Sequence, residues 1–211
     1  MKIPTEKECL DIFEDYSVPK NIVAHCLSVR NVAVFLARKL FNSGITINIE
    51  TVDRLALLHD AFKVVTLNEL KPTKHHNYEF SSREIEMWKK LRLKYPGKYE
   101  GEVASEILSE KYPEFAKLLL DATNPHKLDR NWEECVIHYA DYRIFRNVLV
   151  TLDERFSYFS EVYPKTDQKY WDKYLAYMKE EERRIMTKLP FCAEKLKEEI
   201  YKEKNNQLNN N

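Results

Sequence analysis

Glycine is scarce in this chain, with 3 residues among 211, and proline contributes only 8. A sandwich or barrel of short strands needs many turn-forming residues, so this scarcity argues against an all-β fold. The chain is instead rich in leucine, lysine, glutamate, alanine and tyrosine, most of which favour helices. The composition therefore predicts an all-α protein.

Neither sign of charge dominates, because 34 basic side chains balance 34 acidic ones. Bulk binding to nucleic acid usually needs a net or clustered basic surface, so we expect no nucleic-acid partner. The apolar runs are too short to span a bilayer, and the first residues lack the zones of a signal peptide. We expect no membrane partner and a cytoplasmic location.

Paired cysteines are also missing, since the four thiols are widely spaced and form no CxxC motif. Three of them lie among residues with helical periodicity, which favours buried, reduced thiols over disulfides or a zinc knuckle. The sequence contains no phosphate-binding glycine loop, nucleophile-elbow serine or dinucleotide fingerprint. The cysteines are Cys9, Cys26, Cys135 and Cys192.

Helical periodicity covers most of the chain. Apolar residues from Ile22 to Leu40 recur at spacings of three and four, as one face of an α-helix requires. Thr5 and Glu8 have the form of a capping box, which predicts a helix start. No strand pattern is convincing. The predicted helices cover about residues 5–16, 22–40, 48–61, 82–93, 103–108, 115–119 and 132–150, with further charged helices after 166.

Three groups of ionisable residues interrupt apolar helical patterns: His25, the pair His59 and Asp60, and Asp141. An ionised carboxylate is costly to bury without a partner, and a metal ion is an efficient partner. Imidazole and carboxylate groups together suit Mn, Fe, Co, Ni or Zn. Each group alone also fits a structural role, as a hydrogen-bonded core histidine or as an aspartate paired with an arginine.

Over residues 7–163 the chain resembles HD-domain proteins. The residues that carry this resemblance are Pro19 and His25, separated by five residues, the run Ala-Leu-Leu-His-Asp-Ala-Phe-Lys at 56–63, and Tyr-Ala-Asp at 139–141. The resemblance implies an HD-domain helical bundle. It also implies that His25, His59, Asp60 and Asp141 are ligands of a divalent metal.

The resemblance implies one transition metal, Mn, Co, Ni, Fe or Zn, with Mg also compatible. Family members with two metals usually carry a histidine where this chain has Tyr99 and Glu100. A second metal is therefore not expected. His126 falls near the position of another such histidine, so Glu100 and His126 are candidate ligands of a second metal or candidate substrate contacts. For His126, a loop position without a ligand is an equally good interpretation.

The family's common chemistry implies a metal-dependent phosphohydrolase, a phosphomonoesterase or phosphodiesterase. Its substrate would be a nucleotide or another small phosphorylated metabolite. Asp60 would accept a proton from water, and Lys63 would contact the phosphate if the helix of His59 continues. An exposed lysine at a helix end is the alternative for Lys63. The alternative function is a non-catalytic metal-binding or nucleotide-binding sensor.

Several other polar residues are weaker candidates. Arg30, Arg143 and Arg146 fit either phosphate contact or solvated ion pairs. His138 is predicted to be either a partner of the metal ligands or a packed core histidine. His75 and His76, in a polar loop at about 66–78, are expected to be exposed.

We predict three parts of the chain: an HD domain at 1–165, a charged helical extension at 166–204 packed on the bundle, and a disordered tail at 205–211. The extension carries aromatic residues at helical spacing, which favours packing rather than a cofactor site. The sequence is compatible with a homo-oligomer but does not determine the oligomeric state. These aromatic residues are Tyr170, Trp171, Tyr174 and Tyr177.

Overall fold

The computed structural model describes residues 1–67, 69–72, 78–163 and 166–209, with side chains described up to residue 206. Helices make up 68% of the chain and the described residues contain almost no strand, which confirms the predicted all-α class. None of the described helices is long and apolar enough to cross a membrane. The α-helices are α1 (Glu6–Asp15), α2 (Lys20–Asn42), α3 (Ile49–Leu58), α4 (Ser82–Lys94), α5 (Glu100–Ser109), α6 (Pro113–Thr123), α7 (Trp132–Tyr142), α8 (Leu152–Val162), α9 (Gln168–Met186) and α10 (Leu196–Asn209).

Local sequence fixes several helix starts. Thr5 accepts a hydrogen bond from the Glu8 amide while the Glu8 carboxylate accepts from the Thr5 amide, which confirms the predicted capping box of α1. The same reciprocal arrangement begins α4, α7 and α8. These caps satisfy amide groups that would otherwise lack partners at the helix starts.

The core forms around α2 and α7. Helix α2 packs against α3 and α7, α6 packs against α5 and α7, and α9 packs against α7 and α8. The apolar face predicted for α2 is buried from Ile22 to Leu40. Three cysteines, Cys9, Cys26 and Cys135, are buried and unpaired as predicted, whereas Cys192 is exposed and unpaired.

The predicted helix at 132–150 is wrong in its second half. Helix α7 ends at Tyr142, and a short antiparallel hairpin follows, with strands β1 (Ile144–Phe145) and β2 (Val148–Leu149). Arg146 and Asn147 form its turn with positive φ angles of 49° and 64°. Asparagine tolerates this left-handed backbone, but the turn lacks the glycine that usually signals a hairpin.

The polar loop at about 66–78 and the C-terminal tail at 205–211 are described only in part. His75 and His76 lie outside the described residues, so their predicted exposure stays a prediction. At the end of the chain, the backbone of 205–209 continues α10, where the sequence predicts a disordered tail. Residues 210 and 211 lie outside the described range.

Candidate metal centre

Three helices bring their ionisable residues to one point. His25 extends from α2, His59 lies at the end of α3, and Asp141 lies in the last turn of α7. The Nε2 atom of His25 is 2.9 Å from Asp141 Oδ1 and 3.4 Å from His59 Nε2. His59 Nε2 is 3.6 Å from the same Asp141 oxygen. Residues separated by more than one hundred positions therefore share one small cluster.

His59 and Asp60 stand just past the end of α3 rather than within a helix. The backbone amide of His59 still donates to Leu55, but the helix stops at Leu58 and the chain turns. His59 Nδ1 lies 2.8 Å from the carbonyl oxygen of Ala56. Because a carbonyl oxygen can only accept, this contact assigns a proton to Nδ1 and directs Nε2 into the cluster.

Asp60 completes a group of three residues that could hold a metal ion. The ligand atoms of His25, His59 and Asp60 all lie within 4.8 Å of one another. Asp60 Oδ2 is 3.8 Å from His25 Nε2. Two imidazole nitrogens and carboxylate oxygens form a donor set that suits a divalent transition metal. The fit is chemical as well as spatial, because His59 Nε2 faces the shared point.

Opposite charges stabilise one another within the cluster. Burial disfavours the charged forms, but hydrogen bonds from His25 and His59 outweigh it and hold the pKa of Asp141 well below its ordinary value. Burial likewise opposes protonation of His59, yet Cys26 and Asp141 raise the pKa of its ring well above the ordinary value. The raised pKa of His59 favours its protonated ring, whose charge offsets part of the negative charge of the cluster.

Lys63 reaches the outer side of Asp60. The structure places it in a single 3₁₀ turn, Lys63–Val65, and not in a continuation of α3. Its Nζ is 3.5 Å from Asp60 Oδ1 and donates a hydrogen bond to Glu100 Oε1. Burial lowers the pKa of Lys63, but the Asp60 and Glu100 carboxylates outweigh this effect and raise it. Lys63 also lowers the pKa of Asp60 against the effect of burial.

Glu100 is brought to this position by the first turn of α5. Its second carboxylate oxygen accepts a hydrogen bond of 3.0 Å from the Thr66 hydroxyl. Next to it, Gly101 is buried against the end of α6, where a Cβ atom would overlap the Thr123 hydroxyl and the Tyr99 ring. The absence of a side chain at Gly101 lets α5 approach closely enough to present Glu100. Sequence reasoning missed Thr66, whose role depends on a contact with a residue 34 positions away.

The structure does not bring His126 to the cluster. Its side chain is exposed, and its backbone amide donates a hydrogen bond to the side chain of Asn124. His138 is buried and bonds to Glu181 and Tyr174 on α9, as a packed core histidine would.

The three candidate arginines either form ion pairs away from the cluster or lie at the surface. Arg30 pairs with Glu6 and Asp53, and Arg143 is buried against the hairpin and Glu182. Arg146 is exposed at the hairpin turn, above the Phe145 ring. A cavity of about 220 Å³ between α2 and α10 is lined by Arg30 but by none of the predicted metal ligands, and it is therefore separate from the cluster.

The comparisons with known proteins name no relative. No family model, no curated protein and no solved structure matches this chain. The cluster and its surroundings must therefore be interpreted from their own chemistry.

Proposed function

We propose that this chain is a metal-dependent phosphohydrolase of the HD-domain type. Its substrate would be a small phosphorylated metabolite, with nucleotides the first class to test. The observation that carries the proposal is the convergence of His25, His59, Asp60 and Asp141 from three helices, with the Lys63 ammonium beside them. The resemblance of the sequence motifs to those of HD-domain proteins supplies the step from this cluster to phosphate chemistry.

The four residues would hold the metal, and each is fixed by a different part of the bundle. A divalent metal bound there would polarise a phosphoryl oxygen and lower the pKa of water to about 7. The hydrogen bond from His59 Nδ1 to Ala56 keeps the opposite ring nitrogen directed at the site. Partial exposure of Asp141, whose side chain is 29% accessible, leaves the cluster open to a substrate.

Asp60 and Lys63 would have different roles in phosphoester hydrolysis, one as a proton acceptor and the other as a positive charge. The lowered pKa of Asp60 keeps its carboxylate ionised, so that it can hold a ligand and accept a proton from the attacking water. Lys63 remains charged because its pKa is raised, and its side chain is 40% accessible. Its ammonium group can therefore pair with a phosphate oxygen as negative charge develops there.

The test begins with metal-free protein reloaded separately with Mn²⁺, Co²⁺, Ni²⁺, Fe²⁺, Zn²⁺ and Mg²⁺. Phosphate release is then measured on a panel of nucleotides and phosphorylated metabolites, and diester cleavage on a second panel. Asp60→Ala should abolish turnover. Asp60→Ala therefore controls for a contaminating phosphatase, and Asp129→Ala, which changes an exposed aspartate outside the cluster, should leave turnover intact.

Two outcomes separate the alternatives. Metal-dependent turnover that disappears in Asp60→Ala would establish the enzyme and its substrate class. Stoichiometric metal without turnover on either panel would contradict the hydrolase and favour a sensor that binds metal or nucleotide.

A further inference from the structure

The Lys63 ammonium lies where two carboxylates from different elements meet. Its Nζ lies 3.5 Å from Asp60 Oδ1 and donates a direct hydrogen bond to the Glu100 carboxylate. The Glu100 side chain is largely buried, with 13% of its surface accessible. A buried carboxylate needs a partner, and Lys63 is the cation that it contacts.

Asp60 uses its two oxygens in different directions. Oδ2 faces His25 in the cluster of candidate metal ligands, whereas Oδ1 faces the Lys63 ammonium. A carboxylate that bridges two metal ions has the same arrangement, with one oxygen directed at each cation. In this chain the group that Oδ1 faces is the ammonium of a side chain.

We propose that the Lys63 ammonium is the second cation of the site, and that it fills a position which Asp60 and Glu100 would otherwise offer to a second divalent metal. This inference rests on the proposed metal site but not on hydrolysis. Glu100 is then a positioning residue for Lys63, and Thr66 fixes Glu100 by its hydrogen bond to the other carboxylate oxygen. Glu100, which the sequence suggested as a direct substrate contact, would then act on the substrate only through Lys63.

Charge balance supports this assignment. The assembled site has three carboxylates, Asp60, Asp141 and Glu100. One divalent metal and the Lys63 ammonium would balance these three charges, because histidines that ligate a metal are neutral. Removal of the lysine charge would leave Asp60 Oδ1 and Glu100 without the cation that both contact, and carboxylate pairs bind hard divalent ions such as Mn²⁺ or Mg²⁺.

The experiment counts bound metal and does not depend on turnover. Wild type, Lys63→Ala and Lys63→Arg are equilibrated by dialysis against Mn²⁺, and manganese per chain is measured by plasma mass spectrometry. We expect one Mn²⁺ in wild type and in Lys63→Arg, which keeps the positive charge. We expect the content to double in Lys63→Ala, with the electron paramagnetic resonance signature of two exchange-coupled Mn²⁺ ions, as in two-metal sites about 4 Å apart.

A double variant, Lys63→Ala with Glu100→Gln, tests whether the additional ion uses the proposed ligands. It should return to one Mn²⁺ because Glu100 no longer supplies a charge. Far-ultraviolet circular dichroism of every variant confirms that the fold is kept, and the side chain of Lys63 is exposed enough to make this the expected result.

The outcomes distinguish this inference from the proposed function. One Mn²⁺ in both wild type and folded Lys63→Ala would overturn the role of Lys63 and leave the metal site standing. Two Mn²⁺ in wild type would also overturn it. No Mn²⁺ in wild type would contradict the metal site itself, and the inference with it.

Discussion

His59 is held in the cluster by a contact on the far side of its ring. Its Nδ1 bonds to Ala56, while Nε2 faces His25 and Asp141. In the metal-free chain that nitrogen is the one that carries a proton near the Asp141 carboxylate, so the proton and a metal ion compete for the same lone pair.

This competition predicts how metal binding depends on pH. Because the pKa of His59 is raised, the ring stays protonated above its ordinary pKa of about 6.5. Affinity for Mn²⁺ should therefore weaken as the pH falls, and should keep rising with pH beyond about 6.5. Isothermal titration calorimetry in buffers with different ionisation enthalpies would measure both the affinity and the released protons.

The matched control is His126→Gln, which removes an exposed histidine outside the cluster. It should retain the wild-type pH dependence. An affinity that stays constant from about pH 6 to about pH 9 would contradict proton competition at His59.

The environment of Glu8, outside the metal centre, predicts that the stability of the fold depends on pH. Lys111 lowers the pKa of the Glu8 carboxyl, and hydrogen bonds from Tyr112 and Thr5 lower it further. A depressed folded pKa stabilises the protein above the unfolded value of about 4.3, and this contribution disappears as the pH falls through the folded value. Glu8→Gln keeps a capping side chain but loses the charge.

We expect Glu8→Gln to lower Tm at neutral pH and to approach wild type under strongly acidic conditions. Thermal unfolding followed by circular dichroism at several pH values would test this. Glu14→Gln, an exposed change on the same helix, should differ little from wild type throughout. A Glu8→Gln deficit that is equally large at acidic pH would rule out the charge as its cause.

At the scale of elements, the start of α5 decides where Glu100 lies. Gly101→Ala adds a methyl group that overlaps the side chains of Thr123 and Tyr99, so α5 must move away from α6. Overpacking of this kind costs about 1–3 kcal/mol, which the higher helix propensity of alanine, about 1 kcal/mol, offsets only in part. We expect a net loss of stability in urea unfolding.

A second substitution provides the comparison. Ser105→Ala, in the same helix but at a partly exposed position, should leave stability close to that of wild type. If Gly101→Ala were as stable as wild type or more stable, close packing of α5 on α6 would not be what requires glycine.

The contact between α7 and α9 contains a buried ionic group. Glu181 on α9 accepts hydrogen bonds from His138 at 2.6 Å and from Tyr177 at 2.6 Å, and lies 3.4 Å from the Arg130 guanidinium. The Arg130 side chain is fully buried. Glu181→Ala would leave the buried Arg130 charge without its carboxylate partner and lower the free energy of unfolding by about 3–5 kcal/mol.

Chemical denaturation of Glu181→Ala would measure this loss directly. Glu180→Ala, at an exposed neighbouring position, should have little effect because its ion pair with Arg183 is at the surface. Similar unfolding free energies for the two variants would contradict a structural role for the buried cluster.

At the scale of the whole molecule, the C-terminal helices share their buried face with the rest of the bundle. Helix α9 packs against α7 and α8, and its residues Tyr174, Met178 and Ile185 are buried. Trp171 lies on the same helix and stacks on Phe159. The structure therefore predicts that α9 does not unfold before the rest of the protein.

A chain with Trp88→Phe and Trp132→Phe retains only Trp171 as a fluorescent reporter of α9. We expect its fluorescence and circular dichroism transitions to coincide in urea, as in a cooperative two-state protein. Loss of the Trp171 signal at lower urea would show that α9 is an independent appendage.

The sequence by itself determined the elements whose signals are local. Helical periodicity located α2, and the Thr5–Glu8 pattern located the start of α1, because these signals depend on residues three or four positions apart. The same approach failed at 144–149, where a two-residue turn without glycine gave no hairpin signal and the apolar residues fitted a helix equally well. It also placed His59 and Asp60 within a helix that stops before them.

Only the tertiary structure decided which charges meet. The sequence nominated His25, His59, Asp60 and Asp141 separately, but their convergence depends on the packing of α2, α3 and α7. The pairing of Lys63 with Glu100, and of Arg130 with Glu181, joins residues 37 and 51 positions apart. Ionic contacts act over a few ångströms in space, so their partners are set by how helices pack and not by spacing along the chain.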